Sequence, residues 1–367
     1  MRYANQYTHR HEQGFSLLEM MIAMAIGLTL IAGAITVFSG SRKSIDLNSA
    51  LTDIQDSARF AMDTMTRDVR MAGFQGCVDI NTSSATLLAD AAPTTNFYDT
   101  AVTASVIQDD GSWLPEQPIG FDIPATRAAP IAGTHALSVQ FGSADTFEFA
   151  PLERVDSDIV LYDANSGLFE GDLALISNCQ VADIFEITSA NGATLQHSSD
   201  GNTDKRLSAP YGFAGTINLA RVMRFEANIY YIGDTQRKNG SGDVIYSLYK
   251  QTLPYDKTNL PIEMIEGVAN LQIRLGIRDP GETDDRGLTF VSPSDVAGQP
   301  GRVEVVQIGL LMQSYDAILD VEDASTYTIA GTMLSPSDSP VDPASSYPSD
   351  KRMKLAFNTT VKIRNRR

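Results

Sequence analysis

One carboxylate stands where a carboxylate is costly. Residues 15–38 read FSLLEMMIAMAIGLTLIAGAITVF, and Glu19 is the only charged residue among them. An acid near the centre of a lipid-embedded helix costs about 2.5–3.5 kcal/mol and usually has a partner. At the membrane edge water would solvate it cheaply. Away from the edge it needs a cation, and the run supplies none. Scission of the Gly14–Phe15 bond would create one. The new α-amino group of Phe15 is cationic near neutral pH and lies one helical turn from Glu19. In a packed array, the amine of one chain could instead meet the glutamate of a neighbour.

Other residue types offer less. Cys77 and Cys179 are the two cysteines, too few for a disulfide-framework miniprotein or a four-cysteine zinc centre. They are either two buried thiols or one disulfide, and the disulfide is favoured in an oxidising compartment. Closing a loop of roughly 100 residues is worth up to ~4–5 kcal/mol in the chain-entropy model. His9 and His11 precede Gly14, while His135 and His197 lie far apart in the chain. HExxH, GxSxG, P-loop and GxGxxG strings are absent. A nucleophile pair of Cys77 with a histidine is the weaker use of that thiol. Asp279, Glu282, Asp284 and Asp285 crowd the turn Asp279–Gly287 and could hold calcium, but their spacing departs from the EF-hand pattern. A solvated turn is the better reading. We expect no enzyme, no cofactor and no metal.

The chain has 367 residues and a formal charge of −17. An acidic surface repels phosphates, so a nucleic-acid partner is not expected. At 43% hydrophobic and 20% charged it is neither a disordered tail nor a collagen-like repeat. The end of the chain is different: 350–367 opposes Asp350 with seven lysines and arginines. Leu355–Ile363 alternates like a strand, so we expect an edge strand followed by a solvated basic end.

The run 15–38 exceeds the ~20 residues that span a bilayer. A soluble helix is rarely apolar on all sides for that length. Beyond it, Leu51, Ile54, Ala58, Ala61, Met65, Val69 and Ala72 recur at steps of three and four, which is helix periodicity. The first proline is Pro93, so no ring interrupts a helix before it. We therefore expect one helix from Phe15 to about Met71, apolar all round at first and then amphipathic, with Asp53, Asp56, Arg59, Asp63 and Arg67 wet. Gly27 and Gly33 should bend or partly melt it. Gly73 and Gly76 should end it. The rest reads as strands, with clear runs at Ala136–Phe141, Leu173–Ile176, Ile184–Thr188, Val222–Ile232, Val244–Lys250, Leu271–Ile277 and Val303–Gln313. Strands without alternating helices imply antiparallel sheets and an α+β fold, a helical spine on a β-rich head.

At this point the residues match a family. The string from Gly14-Phe15 through Glu19 resembles the class III signal of type IV pilins and type II secretion pseudopilins. The resemblance implies that a prepilin peptidase cuts after Gly14 and methylates Phe15, and that Glu19 is the subunit-docking residue. It implies segments 1–14 (leader), 15–38 (membrane and filament-core helix), 39–72 (continuation of the spine) and 73–367 (periplasmic head). Arg2 and Arg10 before the span balance Arg42 and Lys43 after it, so that orientation comes from the resemblance. Phe74-Gln-Gly-Cys77, Asn178–Phe185 and Ile265–Gly276 look like the minor pilin family PilW. That likeness implies a subunit stored in the inner membrane, then built into a pilus with other minor pilins and the major pilin, where it helps prime assembly at the tip. A large tip adhesin is a further candidate partner. The rival within the class is a J-type pseudopilin. The rivals outside it are a membrane-anchored periplasmic enzyme and a secreted binding protein whose apolar run is removed.

Overall fold

The computed structural model describes residues 14–90, 92, 96–118, 121, 123, 128–212, 219–253, 260–278, 287–296, 300–337 and 346–366. The calcium reading of Asp279, Glu282, Asp284 and Asp285 lies outside these residues, as do His9 and His11. Two compact units divide at Ala50 and Leu51.

A single helix, α1, runs Leu17–Met71. In the first unit its side chains are exposed from Phe15 to Phe38, apart from half-buried Gly27. Polar groups there are satisfied locally: the Thr29 hydroxyl donates to the Ile26 carbonyl at 2.8 Å and the Thr36 hydroxyl to that of Ala32 at 2.9 Å. That spares both threonine hydroxyls an unpaired transfer to an apolar medium. Gly27 and Gly33 are both within the helix, so the chain is not melted there. Each glycine costs about 1 kcal/mol against alanine but keeps its main-chain donor and acceptor. This helix is long and apolar enough to cross a membrane.

In the second unit α1 buries Ile54, Ala58, Ala61, Met65 and Val69. These side chains share one core with both large sheets. A buried Met of this kind is worth about 1.5–3 kcal/mol. Gly73 ends the helix at φ 73°, the left-handed conformation that glycine adopts without a Cβ penalty. Its N–H donates to the Gln140 carbonyl at 2.9 Å, so the chain passes directly from helix to sheet.

Among the described residues the larger sheet has nine strands. Arg221–Lys238 is its centre, flanked by His135–Phe147 on one side and by Leu173–Ser177 and Val244–Leu253 along the other. A second sheet orders Leu288–Val291, Val268–Arg278, Val303–Ala317 and Arg352–Lys362. All pairings in these two sheets are antiparallel except Thr86–Leu87 with Ala182–Glu186. Two three-stranded ribbons complete the described strands. The fold is α+β, a long helix with a mainly antiparallel head. His135 links the large sheets, since its Nδ1 accepts the Ile273 N–H at 2.9 Å.

Candidate functional site

The N-terminal segment places its groups simply. Gly14, Phe15 and Ser16 lie outside the helix, and the first helical hydrogen bond runs from the Met20 N–H to the Ser16 carbonyl at 3.1 Å. The Gly14–Phe15 bond is thus in non-helical chain, the state in which a peptidase can handle a backbone. Phe15 is 86% exposed. Glu19 falls in the first turn of α1, where a carboxylate complements the positive end of the helix dipole. Its side chain is exposed.

At the other end of α1 the chain is fastened from three directions. Cys77 and Cys179 form a disulfide, so the two-thiol alternative falls away. Gly76 at φ 80° makes the approach possible, because a Cβ there would stand 2.8 Å from the Ser177 Oγ. The buried Gln75 accepts the Ala85 N–H at 2.9 Å. Asn365 then reaches back from the far end of the chain: its Nδ2 donates to the Ala72 carbonyl at 3.1 Å and to that of Met71 at 3.3 Å. Carbonyls of a last turn lack i+4 helical donors; that of Met71 also accepts the Phe74 N–H at 2.9 Å.

The basic tail needs a correction. Arg352–Lys362 is an edge strand, as expected. The solvated end is found only in part, at exposed Arg364. Arg366 is buried, donates to the Val303 carbonyl at 3.1 Å and to the Tyr98 carbonyl, and lies 5.2 Å from the Tyr98 ring centre. Burial pushes its pKa down to about 10, against the opposing pull of Tyr98 and Asp99. Arg352 and Lys354 also turn inward, onto Asp350 at 2.8 and 2.7 Å. Burial raises the Asp350 pKa, but those two donors outweigh it and the net shift is downward.

A polar cluster joins α1 to the larger sheet. The Asp68 carboxylate, in the helix, accepts from Asn228 at 2.7 Å, from the Tyr230 hydroxyl and from Lys250 at 3.2 Å. Burial first, and Asp68 second, push the Tyr230 hydroxyl far above its usual range. Glu226 is pushed up chiefly by burial. Such a network fixes one rotational setting of the helix, because an unpaired carboxylate in its place is costly. Asp68 and Asn365 were not singled out from sequence, Gln75 stands inside the Phe74–Cys77 string with no role read for it, and Arg366 was counted only with the basic end.

The remaining histidines are placed apart. His135 is 8% exposed, and burial lowers its pKa to about 4. The His197 Nε2 lies 2.9 Å from the Ser157 carbonyl. No free thiol remains for either to activate, since the two cysteines are bonded to each other. Among the described residues no cluster of three or more histidines, cysteines or carboxylates forms a metal-binding group.

Comparison with known proteins bears on both ends of the chain. Residues 229–365 match the family model described as Type IV Pilus-assembly protein W. Residues 9–35 match the prokaryotic N-terminal methylation motif. The pilin-like protein PilA3 of Thermus thermophilus is 32% identical over 62 residues, which cover 17% of this chain and 27% of that protein. The chain therefore spans about a quarter of the length of that relative. With a methylation motif on the apolar helix and a pilus-assembly match across the sheets of the head, the chain resembles the PilW family of pilin-like proteins.

Proposed function

We propose that this protein is a minor type IV pilin that helps prime pilus assembly and enters the filament with other minor pilins near its tip. The observation that carries the reading is the unpacked half of α1. It offers apolar side chains on every side, with one acid in its first turn and a glycine–phenylalanine join just outside the helix. A prepilin peptidase cuts after Gly14 and the new Phe15 terminus is methylated. Glu19 then docks on the Phe15 amine of a neighbouring subunit. Before assembly the helix is held in inner-membrane lipid, with the head in the periplasm. That compartment permits the Cys77–Cys179 bond. The major pilin and a tip adhesin are the remaining partners of this scheme.

The test is the mass of the N-terminus of protein purified from its native host. Methylated Phe15 supports the reading, whereas an intact Met1 or a start beyond residue 38 overturns it. Glu19→Ala should leave the head folded and the chain anchored while removing it from pili. Wild-type assembly of that variant would end the docking role.

A further inference from the structure

The register of the outer strand fixes which of its main-chain groups face outward. Among the described residues, strand Arg352–Lys362 pairs only with Val303–Ala317 and closes the second sheet. The Ile363 N–H donates to the Glu304 carbonyl at 2.8 Å, and this pair continues the register Val305 with Lys362 and Val306 with Val361. Bonded and non-bonded pairs alternate in an antiparallel ladder. Leu355, Phe357, Thr359 and Val361 therefore direct their N–H and C=O groups inward. Ala356, Asn358 and Thr360 direct theirs away from the sheet. Met353 agrees with this phase, since its N–H donates inward to the Ser314 hydroxyl at 3.0 Å.

Free edges are usually guarded by lysine, proline or a bulge. Leu355–Val361 reads LAFNTTV, with no charge and no proline. The bases at its start do not guard it, because Arg352 and Lys354 are spent on Asp350 inside the protein. The register shift lies beyond Gln313, at the far end. Ala356, Asn358 and Thr360 are exposed, and Leu355, Phe357 and Thr359 are half-buried. Exposed bases flank the strand on both sides, Lys351 before it and Arg364 after it.

We propose that this edge is a strand-addition site for an extended segment of a sister pilin-type subunit, uncharged in its middle and acidic at its ends. The proposal rests on the pilus reading above. Main-chain pairing at Ala356, Asn358 and Thr360 supplies the attraction, and the flanking bases select the acidic ends and fix the register.

Proline at an outward position removes a donor the protein itself does not use and places a ring where the added strand would lie. Ala356→Pro and Thr360→Pro are therefore expressed in the native host with its other pilus subunits. Each should melt close to wild type, carry methylated Phe15, and fall at least about tenfold in sheared pili, the effect of losing one or two hydrogen bonds. Ala356→Lys with Thr360→Lys, which adds guards and leaves the backbone alone, should give the same loss. In wild-type pili, hydrogen exchange at 356, 358 and 360 should slow relative to the isolated full chain.

Wild-type levels of these variants in pili, or unchanged exchange at those amides, overturn the proposal and leave the pilus reading standing. Slow exchange in the purified protein that disappears on dilution makes the occupant a second copy of this chain and also overturns it. Absence of the wild-type protein from pili ends both readings together.

Discussion

The two halves of α1 are both rich in apolar side chains and dispose of them oppositely. Between Phe15 and Phe38 every large apolar side chain is exposed. Between Ile54 and Ala72 the apolar positions, exposed Phe60 apart, gather on one face, and that face lies in the core of the head. The second half has a period because its partner occupies one side of it. The first half has none because its surroundings, lipid or other helices, must be apolar on every side. Loss of periodicity is thus informative: it says that what covers the helix is not part of the same fold.

Placing the same charge in each half should separate them most sharply. Met65→Lys puts an unpaired ammonium into a fully buried site and should cost at least about 3–5 kcal/mol, seen as loss of the cooperative thermal transition of the head. Met24→Lys should leave that transition in place and instead weaken membrane retention, by about 2.5–3.5 kcal/mol at a helix centre. An unchanged melt for Met65→Lys would mean that the second half is not core.

Next in size is the disulfide. Cys77→Ser with Cys179→Ser should lower the stability of the head by about 2–5 kcal/mol in urea titrations, and leave membrane retention untouched. The buried histidine comes third. Unfolded, its imidazole binds a proton near pH 6.5, and in the folded chain only near about 4. The unfolded state holds more protons between those values, so this contribution is complete above pH 6.5 and declines as the pH falls to about 4. The decline amounts to about 3 kcal/mol at most. His135→Gln should flatten that part of the urea-midpoint profile, and a profile identical to wild type would show that the imidazole titrates normally. The smallest effect belongs to Asn365→Ala, about 1 kcal/mol, with faster amide exchange confined to the last turn of α1.

The helix was legible to its end because its signals are local: a run with a single charge, a period of three and four, and a glycine at position 73, left-handed in the fold. The long strands were legible for the same reason. Strand Ala182–Glu186 begins two residues before the apolar run that announces it, because Asp183 looks like a strand breaker. In the fold its carboxylate accepts from the Ser208 N–H at 2.7 Å and the Tyr211 hydroxyl at 2.8 Å, partners that no nearby residue foretells. Val102–Ile107 was missed because Thr103, Ala104 and Ser105 at its middle are small and make only a weak apolar signal. Arg366 was misread because its neighbours are main-chain carbonyls from elsewhere in the chain, and a carbonyl has no signature in sequence. The reading of the N-terminal join and of Glu19 uses position alone and draws on no fold. The cap at Asn365 was not, since it exists only once both ends of the head have met.

The Cys77–Cys179 bond also changes how a pull would travel. The two residues are 102 positions apart, a length that stretched chain would extend to roughly 350 Å. Tension entering along α1 crosses one sulfur–sulfur link and continues into the strands beyond residue 179. The covalent path thus bypasses residues 78–178, whose strands are held by sheet hydrogen bonds and by the core they share with α1 rather than by the load-carrying bonds.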